Sequence, residues 1–209
     1  VPVGGLLLEH EAKAFLREMG LPVPDGTFFK RGSVPSSAGM MYPLIAKVSS
    51  EHIISKSEVL GIKTGITNEE ELNQAVAGLM QIPGADGVLV EETAPHGVEV
   101  IIGGIIDPQF GPVMMFGLGG VNVEVFKDVA FGLAPLDEKD ALWLIAQIKG
   151  HILLEGYRGS PPADTGALIG ILIAISRLMT AGRIREIDLN PVAVYPAGAM
   201  ILDVKMSLI

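Results

Sequence analysis

Four polar side chains near the end of the chain bring together a pair of oxygens that suits a hard cation. Asp188 and Asn190 stand two apart in Glu186-Ile187-Asp188-Leu189-Asn190-Pro191, and Asp203 and Lys205 stand two apart further on. A turn at Tyr195-Pro196-Ala197-Gly198 pairs Val194 with Ala199. Continued along both strands, that register sets Asn190 opposite Asp203 and Asp188 opposite Lys205. Side chains alternate along a strand, so all four share one face. An amide oxygen facing a carboxylate supplies hard oxygen donors of the kind Mg²⁺ prefers. A plain polar face with an Asp–Lys pair is the competing reading. Pro191 has no N–H to give the ladder, so the strand must be bulged or edge-like there.

Other candidates are single residues. Lys47 ends the apolar run Leu44-Ile45-Ala46-Lys47. A lysine in a buried strand is either snorkelling to water or paired with an anion. Glu91 and Glu92 close Val88-Leu89-Val90, with Thr93 next, and Glu99 sits in Gly97-Val98-Glu99-Val100. Carboxylates at strand ends can accept from ribose hydroxyls or hold a metal, and solvated loop charge is the ordinary alternative. Phe116-Gly117-Leu118-Gly119-Gly120 is a glycine-rich loop of the kind that lets backbone N–H groups approach phosphate. It is neither a dinucleotide fingerprint nor a P-loop, since no Gly-Lys-Ser/Thr follows. His10, His52, His96 and His151 show no metal-ligand spacing.

The elements that must position these groups follow from periodicity. Ala12, Phe15, Leu16 and Met19 recur at helical spacing, closed by Gly20 and Pro22, which predicts a helix over about 9–20. Strands are expected at 26–30, 43–48, 87–92, 97–105 and 112–116, with loops from 31 to 39 and from 49 through Glu58. Thr67 with Glu70 three residues on reads as a capping box for a helix carrying Leu72, Ala75, Val76, Leu79 and Met80 on one face. Asp137 caps a second helix with Ala141, Leu144, Ile145 and Ile148 inward. A third spans about 164–181, and a hairpin of about 184–195 and 199–206 ends the chain. Several neighbouring strands are joined too tightly for right-handed crossovers, so an α+β layer arrangement is expected over a doubly wound sheet.

Composition sets bounds. The 209 residues are 49% hydrophobic and 19% charged, enough for a large aliphatic core, since aromatics make up only 5%. The net charge of −9 argues against a nucleic-acid partner, which demands surplus Lys and Arg. Mean hydropathy is +0.46, yet the longest apolar run, Ala167 to Ile175, falls far short of the ~20 residues of a spanning helix. No membrane association and no signal peptide are expected, because Glu9, His10 and Glu11 interrupt the early apolar stretch. The absence of cysteine fits a reducing, cytoplasmic setting.

Taken in order, EAKAFLREMGLPVP, PLIAKV, SKSEVLGIK, GVLVEE, GVEVIIGGIIDPQFGPVMMFGLGG, VEVFKDVAFGLAPL, GYRGSPPAD and EIDLNPVAVYPAGAMILDVK resemble the ATP-grasp domain of NDP-forming acyl-CoA synthetases, in particular the β-type subunit of ADP-forming acetyl-CoA synthetase. The resemblance covers nearly the whole chain. It implies an α+β ATP-grasp fold over 1–209, with a smaller lobe at about 22–90, a larger lobe at about 91–209 and the nucleotide cleft between them. It also implies roles: Lys47 on the nucleotide phosphates, the Glu91–Thr93 backbone on the adenine edge, Glu92 or Glu99 near the ribose, and Asn190 and Asp203 on Mg²⁺. The implied cofactors are Mg²⁺ and ATP or ADP. The implied reaction, that of an acid–thiol ligase, interconverts acyl-CoA, ADP and phosphate with free acid, CoA and ATP. A separate α-type CoA-binding subunit would be the partner.

Three positions depart from the family pattern. The family's phosphate-carrying histidine, ahead of Lys-Ser-Asp, is Ser55 here; the usual Gly-Gly is Leu60-Gly61; and a common arginine is Gly132. A serine hydroxyl needs a base to attack, and its phosphate ester is a poor donor where a phosphoramidate is a good one. Leu60 would stiffen a loop, and Gly132 would remove a cation from developing charge. Two alternatives to an active synthetase subunit therefore stand: a nucleotide-binding or regulatory subunit without phosphoryl transfer, and an ATP-grasp ligase that forms an acyl phosphate directly.

Overall fold

The computed structural model describes residues 5–53, 56, 58–119 and 128–209. Two compact units emerge, one of Leu8–Phe15 and Pro24–Pro95, the other of Val1–Leu7, Leu16–Val23 and His96–Ile209. The division at 95/96 lies a few residues past the expected 90/91. Strand β5 (Gly87–Glu92) runs on through both glutamates, and the Thr93 N–H still donates to Pro43 O at 3.0 Å.

The first unit holds a four-stranded antiparallel sheet in the order β2 (Gly26–Lys30), β5, β3 (Leu44–Ser49), β4 (Ile62–Ile66). Helix α2 (Glu69–Leu79) covers one face, packing Leu72, Val76 and Leu79 among Leu44, Ala46, Val48, Val88 and Val90. Strand alternation therefore sends Ile45, Lys47, Leu89 and Glu91 to the other face. The N-cap of α2 is Asn68, whose Oδ1 accepts from the Glu71 N–H at 2.9 Å, and the Glu71 carboxylate accepts from the Thr67 N–H and hydroxyl. The capping arrangement thus sits one residue later than Thr67 and Glu70 suggested, because Asn68 takes the extended backbone that an N-cap needs.

Helix α1 (Glu9–Glu18) is shorter than the 9–20 expected, and its inward stripe is different. Ala12 and Leu16 are buried as expected, but Met19 is exposed, and Glu9 and Lys13 complete the buried face instead.

The second unit is built on a seven-stranded sheet in the order β1 (Gly5–Leu7), β11 (Val204–Leu208), β9 (Ile184–Val194), β6 (Val98–Asp107), β7 (Gly111–Leu118), β8 (Val129–Leu133), with β10 (Ala199–Ile201) also paired to β9. Helices α3 (Glu138–Gln147) and α4 (Thr165–Thr180) pack on the face formed by Ile102, Gly104, Met114, Phe116, Ile187 and Leu189. A Cβ on Gly104 would come within 2.9 Å of the Met179 side chain, so glycine there lets α4 lie close. Asp137 caps α3 in a reciprocal box with Asp140, and a short 3₁₀ helix, Lys149–Leu153, follows. Asp164 caps α4, accepting from Ala167 N, and also accepts from Gly198 N at 2.8 Å, tying the β9–β10 turn to the helix. Those two amide donors hold the Asp164 carboxyl below its ordinary range.

The strands β1, β4 and β8 lay outside the expected elements. Both β4 and β8 carry glycine and exposed residues that break two-residue alternation. The mixed helix-and-sheet layers otherwise agree with the α+β expectation.

Candidate functional site

The carboxy-terminal hairpin has the register read from the sequence. Val194 pairs with Ala199, Tyr195 N donates to Gly198 O at 3.0 Å, Asp188 pairs with Lys205, and Asn190 N donates to Asp203 O at 3.2 Å. Ile187, Leu189, Val204 and Met206 turn into the helix-covered core, so Asp188, Asn190, Asp203 and Lys205 share the opposite face. Pro191 sits at an irregularity against β6, where Val100 pairs with Val192 but Ile102 pairs with Leu189. That is the bulged alternative, and β9 is an interior strand.

Asp188 is the most informative member of this face. It pairs in register with Gly103, which sets no side chain against it, and its Oδ1 is buried with no hydrogen-bond partner. Burial pushes its carboxyl above the ordinary aspartate range; Lys205 opposes that shift, while Asp203 and Glu186 add to it. Among the described residues no ion pair joins Asp188 to Lys205, although they are direct neighbours. A buried acceptor lacking a donor, beside a second carboxylate and an amide, is the donor set that a hard cation satisfies. Among the described residues no cluster of three or more His, Asp or Glu side chains forms a closed metal cage. The ribbon thus offers part of a coordination sphere and not a complete cage. Mg²⁺ characteristically retains water or substrate phosphate ligands in such sites.

Glu99 is exposed on β6 and shares the Gly103 face by alternation. Its carbonyl accepts from Gly119 N at 2.8 Å, and a Cβ on Gly119 would lie 3.0 Å from the Glu99 backbone. A Cβ on Gly117 would meet Asp128 O at 2.8 Å. Two glycines of the Phe116–Gly120 stretch are thus required by close strand approach; Gly120 lies outside the described residues. Position 132 also reads differently in the structure. A Cβ on Gly132 would lie 3.4 Å from Leu136 and 3.7 Å from Leu144, on the helix-covered face. An arginine there would start from the face opposite Asp188 and Lys205, so Gly132 removes no cation pointing directly at those oxygens.

In the other unit, Lys47 is 5% exposed and is already paired. Its Nζ lies 3.0 Å from Glu9 Oε1 and 2.9 Å from Glu91 Oε2. Lys13 Nζ bridges the same two carboxylates, 2.8 Å from Glu9 Oε1 and 2.6 Å from Glu91 Oε1. Lys56 Nζ lies 2.9 Å from Glu9 Oε2. Glu9 Oε2 and Glu91 Oε2 join through charge alone, since the lysines sit at ion-pair distance but off the hydrogen-bond direction. Burial raises the Glu9 carboxyl, but Lys47, Lys13 and Lys56 together outweigh it and hold the group well below the carboxylate range. Burial lowers Lys13, with Glu9 opposing.

The remaining expected groups divide. Glu91 is 1% exposed, so its side chain belongs to this ion cluster and not to a ribose or metal. The Glu92 and Thr93 N–H groups donate to Asp25 O and Pro43 O, both at 3.0 Å. What this segment still offers an adenine edge is therefore carbonyl oxygen more than those amides. The Glu92 carboxylate accepts from Met41 N at 2.8 Å. Ser55 lies outside the described residues. Leu60 adopts φ +51, in the left-handed region that favours glycine, and a Cβ on Gly61 would collide with the Val48 side chain. Leu60 thus keeps a glycine conformation in a residue that disfavours it by roughly 1–2 kcal/mol.

Sequence reasoning missed Glu9 and Lys13. The available signal was their i, i+4 spacing on the Ala12/Leu16 face of a helix, where charge is unusual unless partnered.

A two-unit α+β chain with an antiparallel sheet in each unit and an open oxygen face on its carboxy-terminal hairpin is a recognised architecture. The chain belongs to the ATP-grasp domain family, whose profile matches residues 4–208. Within that family its resemblance is to acetyl-CoA-forming ligases. It is 41% identical over 212 residues to the β subunit of acetate–CoA ligase [ADP-forming] I of Pyrococcus furiosus, a match covering 97% of this chain and 91% of that one. A solved structure of dinucleotide-forming acetyl-coenzyme A synthetase 1 of Ca. Korarchaeum cryptofilum, with coenzyme A and Ca-AMPCP, superposes with a TM-score of 0.91 at 41% identity, covering 98% of this chain and 94% of that one. The same enzyme with coenzyme A and Mg-AMPPCP, its phosphohistidine segment pointing towards the nucleotide binding site, gives a TM-score of 0.86 at 42% identity, over 98% and 93% of the two chains. No helix of the described residues is long and apolar enough to cross a membrane.

Proposed function

We propose that this chain is the Mg-ATP/ADP-binding subunit of an ADP-forming acyl-CoA synthetase of the acetyl-CoA type, working with a CoA-binding partner subunit in the cytoplasm. The observation that carries the reading is the pairing of Asn190 with Asp203 beside the unpartnered buried oxygen of Asp188. Asn190 and Asp203 would hold Mg²⁺, and Asp188 would add negative field behind them. Held there, Mg²⁺ would supply positive charge against the phosphates. Lys47 would contact the nucleotide phosphates. Its ammonium lies between the Glu9 and Glu91 carboxylates, 3.0 and 2.9 Å away. Glu91–Thr93 would read the adenine edge, and Glu92 or Glu99 would accept from ribose hydroxyls.

A relative's designation as a β subunit and a solved relative in complex with coenzyme A support the partner. A second reading is favoured by one specific observation, Ser55 at the family's histidine position. Under that reading the chain binds nucleotide without accepting phosphate. Incubation with γ-labelled ATP, with and without a candidate CoA-binding subunit, separates the two. Acid-labile phosphate on this chain, or ATP formed from acyl-CoA, ADP and phosphate, supports the synthetase. Tight Mg-ATP binding with neither product supports the second reading. Absence of any Mg-nucleotide binding overturns both. Under the second reading, Ser55→His is expected to restore acid-labile phosphorylation.

A further inference from the structure

Glu9 is the hub of the buried ion cluster in the Leu8–Phe15/Pro24–Pro95 unit. Its Oε1 faces Lys47 at 3.0 Å and Lys13 at 2.8 Å, and its Oε2 faces Lys56 at 2.9 Å. One carboxylate therefore touches a lysine on β3 and another nine residues on, past the β3 strand end, and fixes where both ammonium groups sit. Lys13 stands one helical turn after Glu9 and grips Glu9 and Glu91 together, so the carboxylate cannot swing away.

Stability alone does not account for such a cluster. A buried network of this kind is commonly no more stabilising than aliphatic side chains of similar volume. The other face of the same sheet demonstrates the alternative, since Leu44, Ala46, Val48, Val88 and Val90 pack there without a charge. What a network supplies and an aliphatic cluster does not is a fixed location for positive charge. Preorganised cations are worth most where an anion's charge must be met without reorganisation.

We infer that Glu9 is a positioning residue for nucleotide phosphate: it aligns the Lys47 and Lys56 ammonium groups, and Lys13 holds Glu9 in place. The inference rests on the reading of Lys47 as a phosphate contact. It assigns a role to α1, an element without any residue in the site read from the sequence.

The test compares ligands that differ only in phosphate, using the full chain. Mg-ADP affinity is measured by calorimetry and adenosine affinity by ligand-observed NMR. Glu9→Gln is expected to weaken Mg-ADP by about tenfold, the scale of one charge-assisted contact, while leaving adenosine unchanged. In a Lys47→Met background, Glu9→Gln is expected to cost much less than tenfold, because one of the two ammonium groups it aligns is gone. Should Glu9→Gln fail to fold, Glu9→Gln with Lys13→Met removes one charge of each sign from the core and is expected to fold and show the same selective loss. Equal weakening of ADP and adenosine, or full multiplication of the Glu9 and Lys47 effects, overturns the positioning role. Unchanged Mg-ADP affinity in Lys47→Met overturns the phosphate reading itself, and the role of Glu9 with it.

Discussion

The two charged regions of this molecule treat carboxylates in opposite ways. Around Glu9 and Glu91, every carboxylate oxygen has an ammonium group within 3.0 Å, and both residues are almost fully buried. On the β9–β11 ribbon, Asp188 keeps an unpartnered oxygen, and among the described residues its neighbour Lys205 makes no ion pair with it. The first region is electrostatically closed and the second is open. The Glu9 carboxyl is accordingly held down and the Asp188 carboxyl pushed up, although burial acts upward on both. A pKa direction thus reports whether a buried acid has been given its counter-charge. A ligand cation has a place at the open region, whereas at the closed one a phosphate would approach ammonium groups whose positions carboxylates already fix.

The same chemical change should have opposite consequences in the two places. Glu91→Gln leaves Lys13 and Lys47 short of a buried counter-ion, and urea unfolding is expected to show a loss of about 3–5 kcal/mol. A loss below about 1 kcal/mol would mean the cluster is not closed. Next in size is the ligand effect at the open region. Asp203→Ala is expected to weaken Mg-nucleotide binding by roughly tenfold or more, as read by calorimetric titration. Equal affinities would remove the ribbon from the metal site.

The pH dependence sharpens the comparison further. Glu9 has a folded-state pKa below its ordinary value of 4.5. Its contribution is therefore fully present above that value and is lost as pH falls towards the folded pKa. The stability gap between the wild-type chain and Glu9→Gln should be constant near neutrality and should close below about pH 4.5. A gap that widens on acidification would reverse the assigned sign.

Leu60→Gly relieves a left-handed leucine at the cost of a more flexible unfolded chain, so thermal unfolding should show a gain of up to about 1 kcal/mol. The smallest effect is expected at Asp188. Its raised pKa means that the charged form is disfavoured by folding at neutral pH. Asp188→Asn should therefore stabilise the unliganded chain by about 0.5 kcal/mol after solvent screening, while weakening Mg-nucleotide binding. Destabilisation by that variant would show that the orphan oxygen has a donor in solution.

Much of the fold was legible because it is local. The hairpin register follows from one turn and strict alternation, which alone place Asn190 against Asp203. The helices α2, α3 and α4 follow from aliphatic spacing and an acidic or amide cap, with Asn68 displacing Thr67 only because the backbone turns one residue later. Strands β4 and β8 escaped because glycine and exposed residues interrupt their pattern. The Gly117 and Gly119 positions invited a phosphate reading, but a glycine needed for close strand contact and one needed for phosphate look identical in sequence.

The amino-acid sequence by itself determined the family resemblance, the α+β layering and the oxygen pair of the last hairpin, all set by neighbours a few residues apart. Only the tertiary structure decided what Lys47 and Glu91 face. Their partners lie 38 and 78 residues away, at Glu9 and Lys13. Long-range ion pairing leaves no periodic trace, and a charge on an inward helix face looks unfavourable until the opposite charge that makes it tolerable is brought beside it.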